Sequence, residues 1–202
     1  MLGCMDRRGE TPFLSFFGDY QMKQVTSQDH ANEAEILEIL KDRKIIKSYS
    51  HHFDDDQLWP FDATAVTRFK DKATDRSYER MIWLELRDRS KYTREQIDEW
   101  GGLCINAGNL FSLIHRARAN ETSVYFVARF ANNEIAFYRL YDHERQQVLN
   151  QSYHQNCMIP VMVTMGKRQK SRGDDLIDTC PVVTLTWRDV CAVSCEPYSD
   201  PE

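Results

Sequence analysis

Two aromatic and β-branched runs lie back to back in this chain. Ser123 to Phe130 carries Val-Tyr-Phe-Val-Ala-Arg-Phe, Glu134 to Leu140 carries Ile-Ala-Phe-Tyr-Arg-Leu, and Ala131-Asn132-Asn133 separates them. Such side chains suit a pleated surface, and Asn tolerates the left-handed backbone of a tight turn. The pattern predicts a β-hairpin over residues 123–140.

The segments before it extend the sheet. Residues 30 to 43 carry Ile36, Leu37, Ile39 and Leu40 at helical spacing among Glu and Lys, which predicts a helix. Strands are expected over Ile45 to Phe53, Leu58 to Phe69 and Tyr78 to Leu86, with a charged turn over Lys70 to Ser77. Thr93 to Ala119 reads as helix, with Thr93 as N-cap and Gln96 at the capping-box position; Gly101-Gly102 and Gly108 predict a break into two pieces. Beyond Tyr141 the chain turns polar. Strands are expected over Met158 to Met165 and Pro181 to Trp187, with a charged loop from Gly166 to Asp175 between them and a frayed acidic end. The element order is α-β-β-β-α-β-β, an α/β (α+β) arrangement. Residues 1–28 are expected to form a poorly ordered arm, 30–142 the core, and 143–202 an extension whose strands pack on it.

Composition bounds the function classes. A chain of 202 residues with 42% hydrophobic and 28% charged residues supports one soluble domain with polar loops. No apolar run reaches the roughly 18 residues that span a bilayer, and residues 1–20 lack signal-peptide blocks, so a cytoplasmic protein without membrane contact is expected. The six cysteines form no Cys-x-x-Cys pair and read as reduced, mostly buried thiols. A net charge of −5 argues against an indiscriminately basic nucleic-acid binder and leaves local patches to decide.

Chemistry concentrates in Pro60-Phe61-Asp62 and Glu85-Leu86-Arg87. Each triplet falls at an expected strand end, so Asp62 and Glu85 can flank one divalent metal. Period-2 alternation puts Arg87 on the face of Glu85. Glu33 precedes Ile36, Leu37 and Leu40 on the apolar face of the first helix, where it can reach the same site or serve as an ordinary first-turn acid. The alternative for Asp62 and Glu85 is a turn cap and a salt bridge to Arg87 or Arg89. Basic residues follow: Arg87, Arg89, Lys91 and Arg94, with Tyr92 among them, and a second run of Lys167, Arg168, Lys170 and Arg172. Both runs suit phosphate contacts, or solvated loops. His51-His52 is read as part of a polar turn, because neighbouring strand residues point to opposite faces and do not chelate one ion.

Pro-x-Asp followed by Glu-x-cation on adjacent strands, in this element order, resembles the PD-(D/E)XK nuclease superfamily over residues 30 to 140. Within it the chain is most similar to small phage-encoded nucleases of the Holliday-junction-resolvase type. The resemblance implies a restriction-endonuclease-like core, a central mixed sheet flanked by helices. It implies a phage-encoded, metal-dependent DNA endonuclease in the host cytoplasm, using Mg²⁺ or Mn²⁺ on Asp62, Glu85 and Glu33 and working on DNA as a possible homodimer. Arg87 stands where the family has lysine. Arginine can stabilise a phosphorane but does not give up a proton. Gln96 corresponds to a polar helix residue that contacts substrate in related folds. Two alternatives stay open: a degenerate nuclease fold that binds DNA or a host protein without cutting, and an unrelated structural phage protein.

Overall fold

The structure is a computed structural model, described here for residues 27–52, 61–70, 75–149, 151–152, 163–169 and 177–194. The expected turn at residues 54–56 and part of the strand expected from Leu58 lie outside these residues.

Helix α1 spans Ser27–Asp42. Its Ile36, Leu37 and Leu40 are fully buried, and each such side chain is worth about 1.5–3 kcal/mol when withdrawn from water. Strands β1 (Ser48–His51), β2 (Ala63–Lys70) and β3 (Ser77–Asp88) follow as an antiparallel meander. Helix α2 (Arg94–Glu99), strand β4 (Leu103–Asn106) and helix α3 (Ala107–Ala119) cross over to β5 (Ser123–Arg129). Strand β5 then pairs with β3 in parallel. A 3-10 turn at Ala131–Asn133 leads into β6 (Ile135–Asp142), antiparallel to β5. Asn132 and Asn133 adopt φ of 60° and 55° there, the left-handed backbone that Asn accepts at low cost.

Short strands β7 (Gln147–Val148) and β8 (Gln151–Ser152) continue one end of the β6 edge. Strands β9 (Thr164–Gln169) and β10 (Ile177–Leu185) pair with each other, and β10 also pairs with β4, giving a separate three-stranded sheet. Strand β11 (Val190–Ser194) returns to pair with β6. The protein is therefore α+β, with a mixed, mostly antiparallel main sheet, few helices and a second small sheet.

The main sheet separates two cores. On one face α1 buries Ile36, Leu37 and Leu40 against Ala63, Ala65, Ile82, Leu84, Leu86 and Val127. On the other, α3 and the small sheet bury Leu110, Leu113, Ile114, Val183 and Leu185 against Trp83, Val124, Phe126 and Tyr138. Two cations strap α1 in place. The Arg129 guanidinium, almost fully buried on β5, donates to Glu35 at 2.7 Å and to Asp88 at 2.8 Å. Arg43 donates to the Ser194 carbonyl at 2.8 Å, tying the end of α1 to β11. Glu35 is thus half of an anchoring ion pair.

Four expectations need correction. The helix expected through residues 103–106 is strand β4. Gly101 and Gly102 end α2 with φ of 96° and 102°, and a Cβ on Gly102 would collide with the Leu185 carbonyl oxygen. Gly102 therefore allows the close backbone approach that docks β4 on β10. The charged loop expected from Gly166 is β9 as far as Gln169, because its backbone is laddered to β10. The frayed end contains β11, held by the β6 edge. Cys104, expected with the buried thiols, is exposed; it, Cys180 and Cys191 are free. No helix among the described residues is long and apolar enough to cross a membrane.

Candidate active site

Asp62 sits one residue before β2, where its N–H still joins the ladder by donating to the Leu84 carbonyl at 3.0 Å. Its carboxylate Oδ2 accepts the Leu86 N–H at 2.6 Å. The side chain thus takes over a main-chain hydrogen bond at the point where the β2–β3 register starts at Ala63 and Leu84. Glu85 and Arg87 alternate with buried Leu84 and Leu86 along β3. Arg87 Nη1 lies 3.3 Å from Asp62 Oδ2, and its Nη2 is hydrogen-bonded to Glu85 Oε1. Nη1 also donates to the Leu86 carbonyl at 2.6 Å. One guanidinium is therefore clasped between the two carboxylates.

This corner is electrostatically loaded. Desolvation, then the Glu85 charge, hold the Asp62 carboxyl well above the usual carboxylate range; Glu33 adds to the effect, while Arg87 and the Leu86 N–H oppose it. Desolvation pulls Arg87 downward, but Glu85, Asp62, Glu33 and Asp29 outweigh it and raise the guanidinium further. Four carboxylates thus act on one cation. Arg87 has 28% of its side chain exposed, Asp62 24% and Glu85 13%, so the group is desolvated yet reachable.

Of the three, Arg87 lines a cleft of about 580 Å³ between α1 and the turn after β3, with Asp62 and Glu85 set behind it. Gln28, Asp29, Asn32 and Glu33 line one wall, and the stretch from Leu86 to Tyr92 lines the other. Main-chain bonds fix that turn: Arg89 N–H to the Arg129 carbonyl at 2.7 Å, and Ala131 N–H to the Tyr92 carbonyl at 2.8 Å. Arg89 and Lys91 face the cleft. Burial, then the charge of Arg87, lowers the Arg89 guanidinium.

Glu33 is buried on α1 with a different set of partners. His51 Nε2 lies 3.1 Å from Glu33 Oε2, and His30 Nδ1 lies 3.7 Å from the same oxygen. The ligand atoms of all three residues lie within 4.8 Å of one another, and the group can hold a metal ion. His51 pairs with Ala63 in the β1–β2 ladder and shares its face, which is the α1 side. His52 points the other way and meets Thr64 Oγ1 at 2.8 Å. The two histidines do diverge, as strand alternation requires, but His51 finds its second imidazole on α1. His30 went unnoticed in the sequence; its spacing of three from Glu33 on one helix was the available signal.

Other sequence candidates have different occupations. Arg94 pairs with Glu134 at 2.7 Å and Glu95 at 2.6 Å and lies 3.8 Å over the Trp187 ring, so its charge is already used within the fold. Gln96 Oε1 accepts the Thr93 N–H at 2.9 Å, while its own N–H donates to Thr93 Oγ1 at 3.3 Å, closing a capping box. Its Oε1 thus helps to start α2. Lys167 and Arg168 belong to β9 instead of a loop. Lys170 and Arg172 lie outside the described residues.

These features define an α+β protein with a carboxylate-rich corner, a histidine–glutamate group and a basic turn, and Glu33, Arg87, Arg89 and Lys91 line the cleft beside them. Comparison of the chain with protein-family models, curated proteins and solved structures returns no match.

Proposed function

We propose that the chain is a metal-dependent DNA endonuclease with a restriction-endonuclease-like core of the PD-(D/E)XK type, phage-encoded and acting in the host cytoplasm. One observation carries the reading. Asp62 and Glu85 meet at the β2–β3 end, with Asp62 held far above its usual range by desolvation and by Glu85. Like charges crowded in this way are relieved by a cation with oxygen ligands. Helix α1, the β1–β3 meander and an α2–β4–α3 crossover that brings β5 parallel to β3 support the same core.

Asp62 and Glu85 fit Mg²⁺ or Mn²⁺, ions that keep several waters and need only one or two protein carboxylates beside substrate phosphate. When bound, such an ion polarises a phosphodiester and lowers the pKa of an attacking water. The remaining work falls to the chain. Leu86 N–H fixes the Asp62 carboxylate. Arg87, released from at least one carboxylate, turns its fork towards the cleft and offers two donors to a phosphate. Arg89 and Lys91 hold the flanking backbone of the strand without reading its sequence.

A second reading rests on Arg87 itself. A guanidinium resting on both Asp62 and Glu85 can serve as a resident cation, leaving a fold that binds DNA or a host protein without cutting. The test is incubation of the purified protein with plasmid, linear, single-stranded and four-way-junction DNA in Mg²⁺, Mn²⁺ or EDTA. Metal-dependent cleavage is expected, with a loss of about 10³-fold or more in Asp62→Ala and Glu85→Ala and unchanged circular dichroism. Undiminished cutting by Asp62→Ala refutes the proposal. Binding without cutting in either metal, with cleavage gained on Arg87→Lys, establishes the second reading instead.

A further inference from the structure

We infer that His30, Glu33 and His51 form a separate binding site for a transition-metal ion of the Zn²⁺ or Co²⁺ class, distinct from the Asp62–Glu85 corner. The donor set sets the class. Two imidazole nitrogens and one carboxylate oxygen suit borderline ions such as zinc, cobalt and nickel, whereas Mg²⁺ and Ca²⁺ select oxygen. An ion at about 2.0–2.2 Å from each ligand in tetrahedral geometry needs ligand atoms roughly 3.3 Å apart. The observed separations of 3.1 Å and 3.7 Å to Glu33 Oε2, with all three atoms inside 4.8 Å, need only small side-chain adjustments to reach that geometry.

The frame holding the ligands is stiff. His30 and Glu33 share one face of α1, which is anchored by Ile36, Leu37 and Leu40 and by the Arg129–Glu35 pair. His51 ends β1 opposite Ala63. The His51 side chain is 7% exposed, Glu33 11% and His30 29%, so the three ligands are largely withdrawn from solvent. Three protein ligands is the number that catalytic zinc sites use, whereas structural ones use four. A buried carboxylate is costly unless paired, and a bound cation relieves it.

The division of ligands also separates the two metal classes. Glu33 lines the cleft with Arg87, yet its close partners are the two imidazoles on the α1 side of the sheet. Asp62, Glu85 and Arg87 make their contacts with one another. The inference does not rest on the nuclease reading and stands whether or not the protein cuts DNA.

The experiment is titration of untagged, metal-stripped full-length protein with Co²⁺ and Zn²⁺, followed by cobalt visible absorption and calorimetry. One equivalent of Co²⁺ is expected to give ligand-field bands of a nitrogen-containing site, displaced by Zn²⁺ and unaffected by millimolar Mg²⁺. A hundredfold excess of Zn²⁺ over its Kd should raise the melting temperature by about 5–10 °C. His51→Gln and the more exposed His30→Gln should each weaken Co²⁺ binding by about 100-fold or more, while Asp62→Asn should leave it unchanged. Since His30→Gln alters a partly exposed side chain, it serves if His51→Gln fails to fold. Absence of cobalt bands, bands that persist in His30→Gln, or loss of Co²⁺ binding in Asp62→Asn overturns the assignment. Loss of DNA cleavage in Asp62→Ala with cobalt binding intact separates the two sites directly.

Discussion

Replacing Arg87 by Met removes the cation clasped between Asp62 and Glu85 while keeping the length of the apolar stem. Two unit charges about 4 Å apart interact by ~4 kcal/mol at an effective dielectric near 20. Arg87 makes two such pairs, at 3.3 Å to Asp62 and in direct hydrogen bond to Glu85. Desolvating the guanidinium offsets much of this attraction, and partial exposure of all three side chains screens it further. The net loss on Arg87→Met is therefore about 2–3 kcal/mol at pH 8. Urea denaturation followed by tryptophan fluorescence should report it as a midpoint lower by about 1 M.

The pH dependence carries a definite sign. The folded-state pKa of Asp62 is raised, so the native state holds a proton that the unfolded chain releases. Stability linked to this group is complete below the ordinary carboxylate range and is lost as pH rises through the raised value. Removing Arg87 raises that value again, so the deficit of the variant should be largest at pH 8 and shrink towards pH 4. Millimolar Mn²⁺ should stabilise the variant more than the wild type, because no guanidinium then competes for the carboxylates. Equal stability at pH 8, or a deficit that grows on acidification, refutes the account of the cluster.

Two further substitutions test how the site is held. Arg129→Met should cost about 3 kcal/mol by stranding partly buried Asp88 and releasing Glu35, read as a fall in melting temperature and as faster amide exchange in α1. Gly102→Ala should cost about 2–4 kcal/mol, because it meets both a positive φ and the Leu185 carbonyl. Gly101→Ala, with open space around it, should cost less; equal melting temperatures for the two would remove close approach from the argument.

The local parts of this fold were legible where short-range chemistry decides them. The Ala131–Asn133 turn, the aromatic strands on either side and the shared face of Glu85 and Arg87 follow from turn residues and from period-2 alternation. Helix α1 follows from apolar spacing. What escaped is what distant partners impose. Leu-Cys-Ile-Asn at 103–106 lies between helical stretches and becomes strand only because β10 offers it an edge, and β11 is held the same way by β6. At the site, Asp62, Glu85 and Arg87 were readable as a short motif. The pairing of Glu33 with His51 required knowing that α1 packs over β1, which no local pattern reports. Gln96 was legible as the capping-box partner of Thr93, and the structure shows that box.

The pairing of β4 with β10 bears on how the protein is made. Leu103 lies opposite Leu185 in that ladder, so roughly 80 residues must be added after one partner before the other exists. At about 5–20 residues per second on a ribosome, that is a wait of several seconds. During it α1 and strands β1, β2, β3, β5 and β6 of the main sheet can already form, while Leu103 and Ile105, both buried in the finished fold, have no strand to cover them. The nascent chain thus spends its most adhesive interval with the crossover before α3 uncovered. Slow translation between β4 and β10, or early capture of that segment by a chaperone, should change the yield of native protein.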